Sequence, residues 1–486
     1  MLKRIMSATN APSTAMAAPA RKSMFITEDG RNVLFTFVLV SSLFLLWGFC
    51  NGLIDVMDKH FQDELGLTKA QSAWVQFAHY LGYFLMAIPA GWLAAKLGYK
   101  GGIIVGLLIV ALGGLWFIPA TRISELVKTG EISPGLAFVA FLAGVCLIAT
   151  GLTFLETIAN PYTTVLGDRR YAATRINLAQ SCNGVGWIFG PIVGSVYFYS
   201  TDAAGRSTGS ETLYIPYAAI AAGVLVLAVI FYFADVPDIR AKDDYHVDDA
   251  TPGVSHSIWS HPHFVMAVAA QFFYVAAQAG IFSFFINYMT AEVPPIPRAW
   301  DAAMASVAAK AGVLREWLSG WFETNATGAL AISDKGASNL ASLGFVCFLI
   351  GRFTGALLLK KYSAHRVLGF YGVLNVAACL LVFLKLGWWS VVCVFLSYFF
   401  MSIMFPTIFA LGIFGLGAKA KRASSYIVMA IVGGAVLPKL MGYVADQYDM
   451  SRGFMVPMFC FAFVAYYGLN WPKFSKAESL HSVRMH

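Results

Sequence analysis

Two carboxylates lie inside segments that are otherwise apolar. Asp55 ends the segment WGFCNGLID, and Glu156 lies in the segment LETIANP. A carboxylate in the interior of a bilayer is costly and marks a functional site by default. Burial disfavours its charged form, so such a group can take up a proton near neutral pH. The pattern therefore predicts carboxylates whose proton occupancy changes.

Either carboxylate could instead lie near the membrane surface. Asp58, Lys59 and His60 follow directly and begin the predicted loop, which would leave Asp55 at the membrane surface. Glu156 could instead extend to the interface or cap the next turn. We favour an intramembrane position for Glu156, because such a residue is rare there without a function. Both positions stay open for Asp55.

Amide side chains recur at helical spacing around these carboxylates. Asn51 lies four residues before Asp55, and Asn160 lies four residues after Glu156, so each pair shares a helix face. Two other apolar segments carry similar faces, formed by Asn177, Gln180 and Asn183 and by Gln271, Tyr274 and Gln278. Sugar hydroxyls need donors and acceptors, and aromatic rings cover the C–H face of a sugar. We therefore predict a site for a polyhydroxylated ring, with hydrogen bonding between helices as the alternative.

The composition is that of a membrane protein. Of 486 residues, 58% are hydrophobic and 12% are charged, against roughly 25% charged in soluble chains. Soluble enzymes, disordered proteins and nucleic-acid-binding domains are poor interpretations. A spanning helix needs about 20 apolar residues, and an all-α integral membrane protein with twelve transmembrane helices is predicted. The predicted spans are 33–57, 72–95, 101–120, 135–158, 175–199, 213–234, 264–289, 340–359, 367–384, 388–416, 424–445 and 454–471.

The basic residues predict the orientation. With the amino terminus inside, most Lys and Arg fall in inside segments, so both termini are expected to be cytoplasmic in an inner or plasma membrane. We expect a monomer surrounded by lipid, without a nucleic-acid partner. The predicted parts are a disordered cytoplasmic tail (1–32), an amino-terminal six-helix half (33–234), a cytoplasmic linker (235–263), a carboxy-terminal six-helix half (264–471) and a cytoplasmic tail (472–486).

The two halves resemble each other. The segment GWLAAKLGYK after the second span corresponds to GALLLKKY after the eighth, and the fifth and eleventh spans are both rich in glycine and contain a proline. Such repetition indicates duplication and a binding site between the halves.

A long outer connection, 290–339, interrupts the second half. Its apolar residues between Trp300 and Trp321 alternate in steps of four and three. This spacing predicts an amphipathic helix that lies flat at the outer interface, anchored by tryptophans. A lid over the outer vestibule is the alternative.

Other chemistries find little support in the sequence. The seven cysteines all lie in apolar runs, which is typical of inert buried thiols. His261 and His263 have no further metal ligands nearby in sequence. We expect no metal, no cofactor and no enzymatic activity, since no nucleophile–base pair or phosphate-binding loop is found.

Longer motifs carry a family resemblance. The segments LETIANP, NLAQSCN, AQFFYVAAQ, GRFTG and MSIMFPTIF are similar to segments of the fucose permease group in the major facilitator superfamily, and the similarity covers roughly residues 33–470. The resemblance implies the major facilitator fold, with twelve transmembrane helices in two six-helix halves. The group comprises proton symporters for fucose, glucose and galactose.

The resemblance also implies roles for individual residues. Asp55 and Glu156 match the proton-coupling acids, and Gln180 and Asn183 match sugar-contacting amides. Asn51 matches a polar position of the family. Gly52 and Ile54 replace asparagines of the fucose permease pattern, so the hexose itself stays open.

Together these features predict a proton-coupled hexose importer that works by alternating access. A proton on Glu156 and a bound sugar would each favour the other, and Asp55 would relay the proton. Sodium coupling, or another small polar solute on the same scaffold, is the alternative. A sugar receptor that does not transport is disfavoured, because neither end of the chain offers a sizeable signalling segment.

Overall fold

Long helices make up nearly all of the amino-terminal half. The structure, a computed structural model, describes residues 24–27, 30–167, 172–199, 212–237, 257–310, 315–325, 328–414, 416 and 420–475. Lipid offers no hydrogen bonds, so apolar segments satisfy their backbone groups internally as helices. The helices of this half are α1 (Leu34–Leu65), α2 (Lys69–Ser72), α3 (Trp74–Lys128), α4 (Pro134–Val165), α5 (Ala172–Tyr197) and α6 (Tyr214–Phe233).

The carboxy-terminal half is also helical, and several of its crossings are broken into two pieces. The helices are α7 (Pro262–Ser283), α8 (Phe285–Ala291), α9 (Arg298–Lys310), α10 (Arg315–Leu318), α11 (Asp334–Lys361), α12 (Ala364–Phe383), α13 (Trp388–Met401), α14 (Met404–Ile413), α15 (Ala420–Met429), α16 (Gly433–Gln447), α17 (Met450–Gly453) and α18 (Met455–Ser475). Two 3₁₀ turns, Ile258–Ser260 and Ala430–Val432, precede α7 and α16.

The helices provide twelve crossings, six in each half. Ten segments of the described chain are long and apolar enough to span a bilayer. The arm of α3 before Gly98, where the backbone leaves the helical region, and α5 supply the other two. Both contain polar side chains, such as Gln76 and Gln180, which lower their mean hydropathy. The all-α, twelve-helix prediction is confirmed.

The surface of the bundle is apolar. Large hydrophobic side chains are exposed along many helices, among them Phe233 at 80% and Trp389 at 73%. An exposed apolar belt of this size is stable against lipid and not against water. The polar residues of the spans lie mostly inside the bundle.

The two halves meet along a few helices. In the first half α1 packs on α5 and α3 packs on α4, and in the second half α12 packs on α18. Across the boundary α5 packs on α11, α16 packs on α2 and α3, and α1 touches α7. Side chains on these boundary helices can therefore contact both halves.

The first span is longer than predicted. α1 continues to Leu65 and ends where Gly66 adopts a left-handed conformation (φ 65°), which glycine tolerates without a Cβ clash. Asp58 and His60, expected to begin a loop, are 0% and 2% exposed. The loop prediction was wrong, because neighbouring helices bury this polar turn.

The 290–339 connection does not form the single amphipathic helix that we predicted. Helix is described at Arg298–Lys310 and Arg315–Leu318, with 311–314 outside the described residues, and Trp321 lies beyond both, before an antiparallel hairpin of β1 (Phe322–Thr324) and β2 (Leu330–Ile332). Val307, on the predicted apolar face, is 51% exposed, and Ala308 is buried instead. The apolar spacing therefore extends beyond the end of the helix, and the buried face is set by packing on the rest of the protein.

Most of the predicted tails and linker lie outside the described residues. These parts are 1–23, 28–29, 238–256 and 476–486. At the edges of these gaps, Ile26 pairs with Asn32 in an isolated antiparallel bridge, and α18 continues to Ser475.

Candidate functional site

Asp55 and Glu156 are both buried within the first half. Asp55, on α1, is 6% exposed, and Glu156, on α4, is 8% exposed. Asp55 Oδ1 accepts a hydrogen bond from Gln76 Nε2 on α3 at 3.3 Å. Asp55 Oδ2 and Glu156 Oε2 have no hydrogen-bond partner among the described residues. A buried carboxylate oxygen without a partner is costly, so both groups are candidates for binding a proton or a ligand.

Two tyrosines of α3 lie near the carboxylates. The Tyr80 hydroxyl is within electrostatic reach of Asp55, Glu156 and Tyr274, and the Tyr83 hydroxyl is within reach of Glu156. Tyr83 also accepts a hydrogen bond from the indole of Trp47 at 2.6 Å. The two acids thus share one polar and aromatic environment, which Tyr80 connects to the second half through Tyr274.

Glu156, Asn160 and Gln180 are joined in a chain of hydrogen bonds. Asn160 Nδ2 donates to the backbone carbonyl of Glu156 at 3.1 Å, and Gln180 Nε2 donates to Asn160 Oδ1 at 3.0 Å. Arg352 of α11 donates from Nη1 to the backbone carbonyl of Gln180 at 3.1 Å. The structure thus brings the acid of α4 and an amide of α5 to the boundary with the second half.

The remaining predicted amides of the first half are Asn51, Asn183 and Asn177. Asn51 is 9% exposed, and its Oδ1 has no partner in the described part of the chain. Asn183 donates from Nδ2 to the Phe44 carbonyl at 3.3 Å, so it also ties α5 to α1. The side chain of Asn177 lies outside the described residues.

The residues on the predicted polar face of α7 differ in whether they have hydrogen-bond partners. Gln271 is fully buried, and neither of its amide atoms has a partner among the described residues. Tyr274 is fully buried and donates to the Met401 carbonyl at 3.0 Å. Gln278 is half-buried. Gln271 therefore has the greatest unused hydrogen-bonding capacity on this face.

Aromatic rings from both halves cluster at the boundary. The Trp187 ring of α5 lies 5.1 Å from that of Phe282, 4.8 Å from Phe345 and 6.4 Å from Phe348. Its indole nitrogen is buried without a hydrogen-bond partner within the described chain. Such a surface suits the apolar face of a ring that also carries hydroxyl groups.

Sequence reasoning missed Asp58, Gln76 and Ser283. The three-residue step from Asp55 to Asp58 was a usable signal, since it places both acids on one helix face. Ser283 carried no such signal, because its neighbours come from the other half and are far away in sequence.

Polar contacts join the two halves at one end of the bundle. This end carries the connections 66–68, 292–297 and 448–449 and is called the joined end. Asp446 of α16 accepts hydrogen bonds from the backbone N–H groups of Lys69 at 3.1 Å and Ala70 at 2.8 Å. Lys59 lies 3.6 Å from Asp334 of the second half. These contacts hold the halves together on this side of the buried acids.

Metal-binding geometry is not found in the described ranges. No group of three or more His, Cys, Asp or Glu side chains there could hold a metal ion. His263 Nε2 bonds to the Phe414 carbonyl at 2.9 Å, and its ring lies 5.8 Å from that of His261. The histidine pair thus has a structural contact.

Comparisons with known proteins agree with the geometry. Residues 35–323 match the family model of the Major Facilitator Superfamily. The chain is 34% identical to the L-fucose-proton symporter of Escherichia coli strain K12 over 90% of its own length and 93% of the relative. It is 31% identical to a glucose/galactose transporter of Brucella abortus, over 91% and 95% of the two chains.

A solved structure gives the same result. The crystal structure of FucP, a Major Facilitator Superfamily transporter in the outward conformation, has a TM-score of 0.61 and 33% identity. The match covers 91% of this chain and 99% of that one. With twelve helical crossings in two halves, buried polar groups at their boundary and these relatives, the chain belongs to the Major Facilitator Superfamily.

Proposed function

We propose that this protein is a proton-coupled importer of a hexose of the fucose, glucose or galactose type. The observation that carries the proposal is the buried Glu156 carboxyl, which has an unbonded oxygen and lies one helical turn from Asn160. The Asn160 side chain accepts a hydrogen bond from Gln180 at the boundary between the halves. The names of the relatives, which cite L-fucose, protons, glucose and galactose, support this substrate class.

Glu156 carries the coupling in this proposal. A buried carboxyl without a counter-charge is more stable when neutral. Protonated Glu156 donates a hydrogen bond to a sugar hydroxyl, and the sugar in turn keeps water away from the acid. Each ligand then raises the affinity for the other by the same factor, because binding linkage is reciprocal. Asp55, which shares Tyr80 as a neighbour, passes the proton onward.

The hexose lies between the halves and is bound mainly by amides. Asn51 and Gln271 have unused polar atoms that can bind hydroxyl groups directly. Asn160 and Gln180 accept and donate next to Glu156, and Gln278 lines the side of the second half. Asn183 and Tyr274 exchange their present backbone hydrogen bonds for sugar contacts when the helices move.

The joined end faces the outside in the proposed orientation. Lys96, Lys100 and Lys361 lie at the opposite end, and basic residues favour the cytoplasmic side. Both termini are then cytoplasmic, and the protein works as a monomer in an inner or plasma membrane. Separation of the halves at the joined end, followed by closure, exposes the site to each side in turn.

Glu156→Gln tests the proposal in reconstituted vesicles. The variant keeps a hydrogen-bonding side chain but cannot carry a proton, so sugar counterflow is retained and pH-driven accumulation is lost. Glu125→Gln, which changes an exposed acid on α3, serves as the matched control and keeps both activities. Concentration of hexose against its gradient by the Glu156→Gln variant would overturn the proposal.

A separate measurement identifies the coupled ion. Addition of sugar to cells in sodium-free medium makes the medium alkaline if protons enter with the sugar. Uptake that requires sodium and leaves the pH unchanged would instead establish the sodium-coupled alternative.

A further inference from the structure

Asp58 is a third buried acid that the proposed mechanism does not use. It lies on α1, three residues after Asp55 and toward the joined end, and is 0% exposed. The side chains of Gln76 on α3 and Ser283 on α7 lie next to its carboxylate. Neither Asp58 oxygen makes a hydrogen bond of regular geometry with the described residues.

No positive charge compensates this acid in the described chain. Of the titratable groups, Asp55 acts on it from its own helix, Tyr80 from α3 and Tyr199 from the segment after α5. The adjacent Lys59 is engaged by Asp63 and Asp334. The groups that face Asp58 are therefore neutral or acidic.

Two buried acids one helical turn apart cannot both stay ionised without a counter-charge. Each charge disfavours the other and both are removed from water, so the pair retains at least one proton. Such a pair titrates as a unit rather than as two independent groups.

Ser283 connects this pair to the movement of the halves. Its hydroxyl belongs to the second half and is 0% exposed, and it has no hydrogen-bond partner among the described residues. A neutral Asp58 carboxyl can donate to this hydroxyl while the joined end is closed. When the halves separate there, water replaces Ser283 and can stabilise the ionised form.

We propose that Asp58 and Asp55 form a second proton-binding site, distinct from Glu156, which must be occupied for the halves to close at the joined end. The inference rests on the proposed symport function and deepens it, because the proton that Asp55 passes onward is then held by the Asp55–Asp58 pair while the joined end is closed.

Distance measurements between the halves test this site without sugar. Spin labels on Glu131→Cys and Tyr448→Cys, both at exposed positions of the joined end, report the separation in lipid nanodiscs, after removal of the seven native cysteines. In the labelled protein that keeps Asp58, the fraction of molecules closed at the joined end falls as pH rises. Asp58→Asn shifts the pH midpoint of closure by at least one unit or abolishes the pH dependence. Asp58→Glu, which keeps a carboxyl group, retains the pH dependence, and Glu125→Gln leaves it unchanged.

Two further measurements keep the test decisive. Asp58→Leu removes the acid without placing an amide at a buried position that lacks partners, so it reproduces the effect of Asp58→Asn on the pH dependence even if the Asn variant folds poorly. The infrared band of protonated carboxyl groups changes in position or intensity in Asp58→Leu, because the proton of the pair is then lost or held by Asp55 alone, and it is unchanged in Glu125→Gln. Full pH dependence in both Asp58 variants, an unchanged infrared band, or closure that follows sodium at fixed pH would overturn the proposal.

The outcomes separate this inference from the proposed function. If no hexose is transported but closure still depends on pH through Asp58, the transport proposal fails and the second proton site stands. If Glu156→Gln uncouples hexose transport while closure in the Asp58 variants follows pH unchanged, the transport proposal stands and the second site fails.

Discussion

The carboxamides of Gln62 and Asn287 pair with each other across the boundary between the two halves. Asn287 Nδ2 donates to Gln62 Oε1 at 2.6 Å, and Gln62 Nε2 donates to Asn287 Oδ1 at 3.4 Å. Gln62 also donates to Ser72 Oγ at 2.8 Å. Both amides are satisfied in this way only while the halves touch, so the pair stabilises the joined end relative to an open one.

Asp446→Asn is expected to weaken the joined end. The carboxylate accepts two backbone hydrogen bonds from Lys69 and Ala70 and lies 3.6 Å from Lys69 Nζ. Hydrogen bonds to charged groups contribute about 1.5–3 kcal/mol, and partial exposure reduces this, so we expect a roughly tenfold fall in the ratio of closed to open protein. The Glu131–Tyr448 label distance measures it. Asp301→Asn, on the exposed face of α9, is the control, and an unchanged distance distribution would contradict the prediction.

Gly434→Ala is expected to prevent close approach of the halves. A Cβ at Gly434 of α16 would lie 2.3 Å from the ring of Tyr80, far inside van der Waals contact. Overpacking costs about 1–3 kcal/mol, so hexose uptake should fall roughly tenfold or more, with the label distance shifted toward the open form. A second change, Tyr80→Ala, should restore that distance.

The control for this steric effect is Gly223→Ala on α6. A Cβ at that position meets no atom within 4 Å, so the change should leave distance and uptake as they were. Equal behaviour of the two alanine variants would mean that contact between Gly434 and Tyr80 does not limit closure.

Arg352→Lys is expected to reduce hexose affinity. The guanidinium lies over the Phe348 ring at 5.0 Å while Nη1 donates to the Gln180 carbonyl, and an ammonium group cannot make both contacts. Loss of one such hydrogen bond is worth about 1 kcal/mol, or roughly a fivefold increase in the sugar concentration at half-maximal uptake. Kinetics of counterflow measure this. Arg366→Lys, at an exposed position, should leave the value unchanged, and an equal effect there would argue against a positioning role.

Asp449 gives a pH-dependent contribution to stability. Partial burial raises its pKa, but the Arg452 backbone N–H at 2.9 Å and the Lys385 ammonium at 3.1 Å outweigh burial and hold the pKa below its usual range. A lowered pKa in the folded state gives stability that is present above the unfolded pKa of about 3.9 and is lost as pH falls through the folded value.

Asp449→Asn tests this contribution by removing the charge while keeping an oxygen that can cap Arg452. The variant should have a slightly lower Tm at pH 7, by less than about 1 kcal/mol in stability since the pair is partly exposed. The difference should begin to shrink as pH falls below about 4 and vanish once pH is below the lowered pKa of the folded state. Thermal unfolding in detergent measures it, with Glu125→Gln as the reference. A difference that persists at low pH would have another origin.

Part of the site followed from local spacing. The four-residue step from Glu156 to Asn160 predicted a shared helix face, and in the structure the Asn160 side chain bonds to the backbone carbonyl of Glu156 one turn before it. The link from Asn160 to Gln180 could not be predicted, because it crosses from α4 to α5 and depends on how those helices pack. Hydropathy also placed Asp58 in a loop, since a polar turn after an apolar run has the same composition at a membrane surface and at a helix boundary.

The sequence by itself determined the class of protein, the number of crossings and the division into two halves. Segments of about 20 apolar residues have no alternative to helices in lipid, and charge asymmetry between loops survives any arrangement of the helices. The tertiary structure alone decided which polar groups are buried without partners. Asp58, Ser283 and Gln271 owe that state to neighbours from other helices, and burial and hydrogen bonding are properties of the packed bundle rather than of any one segment.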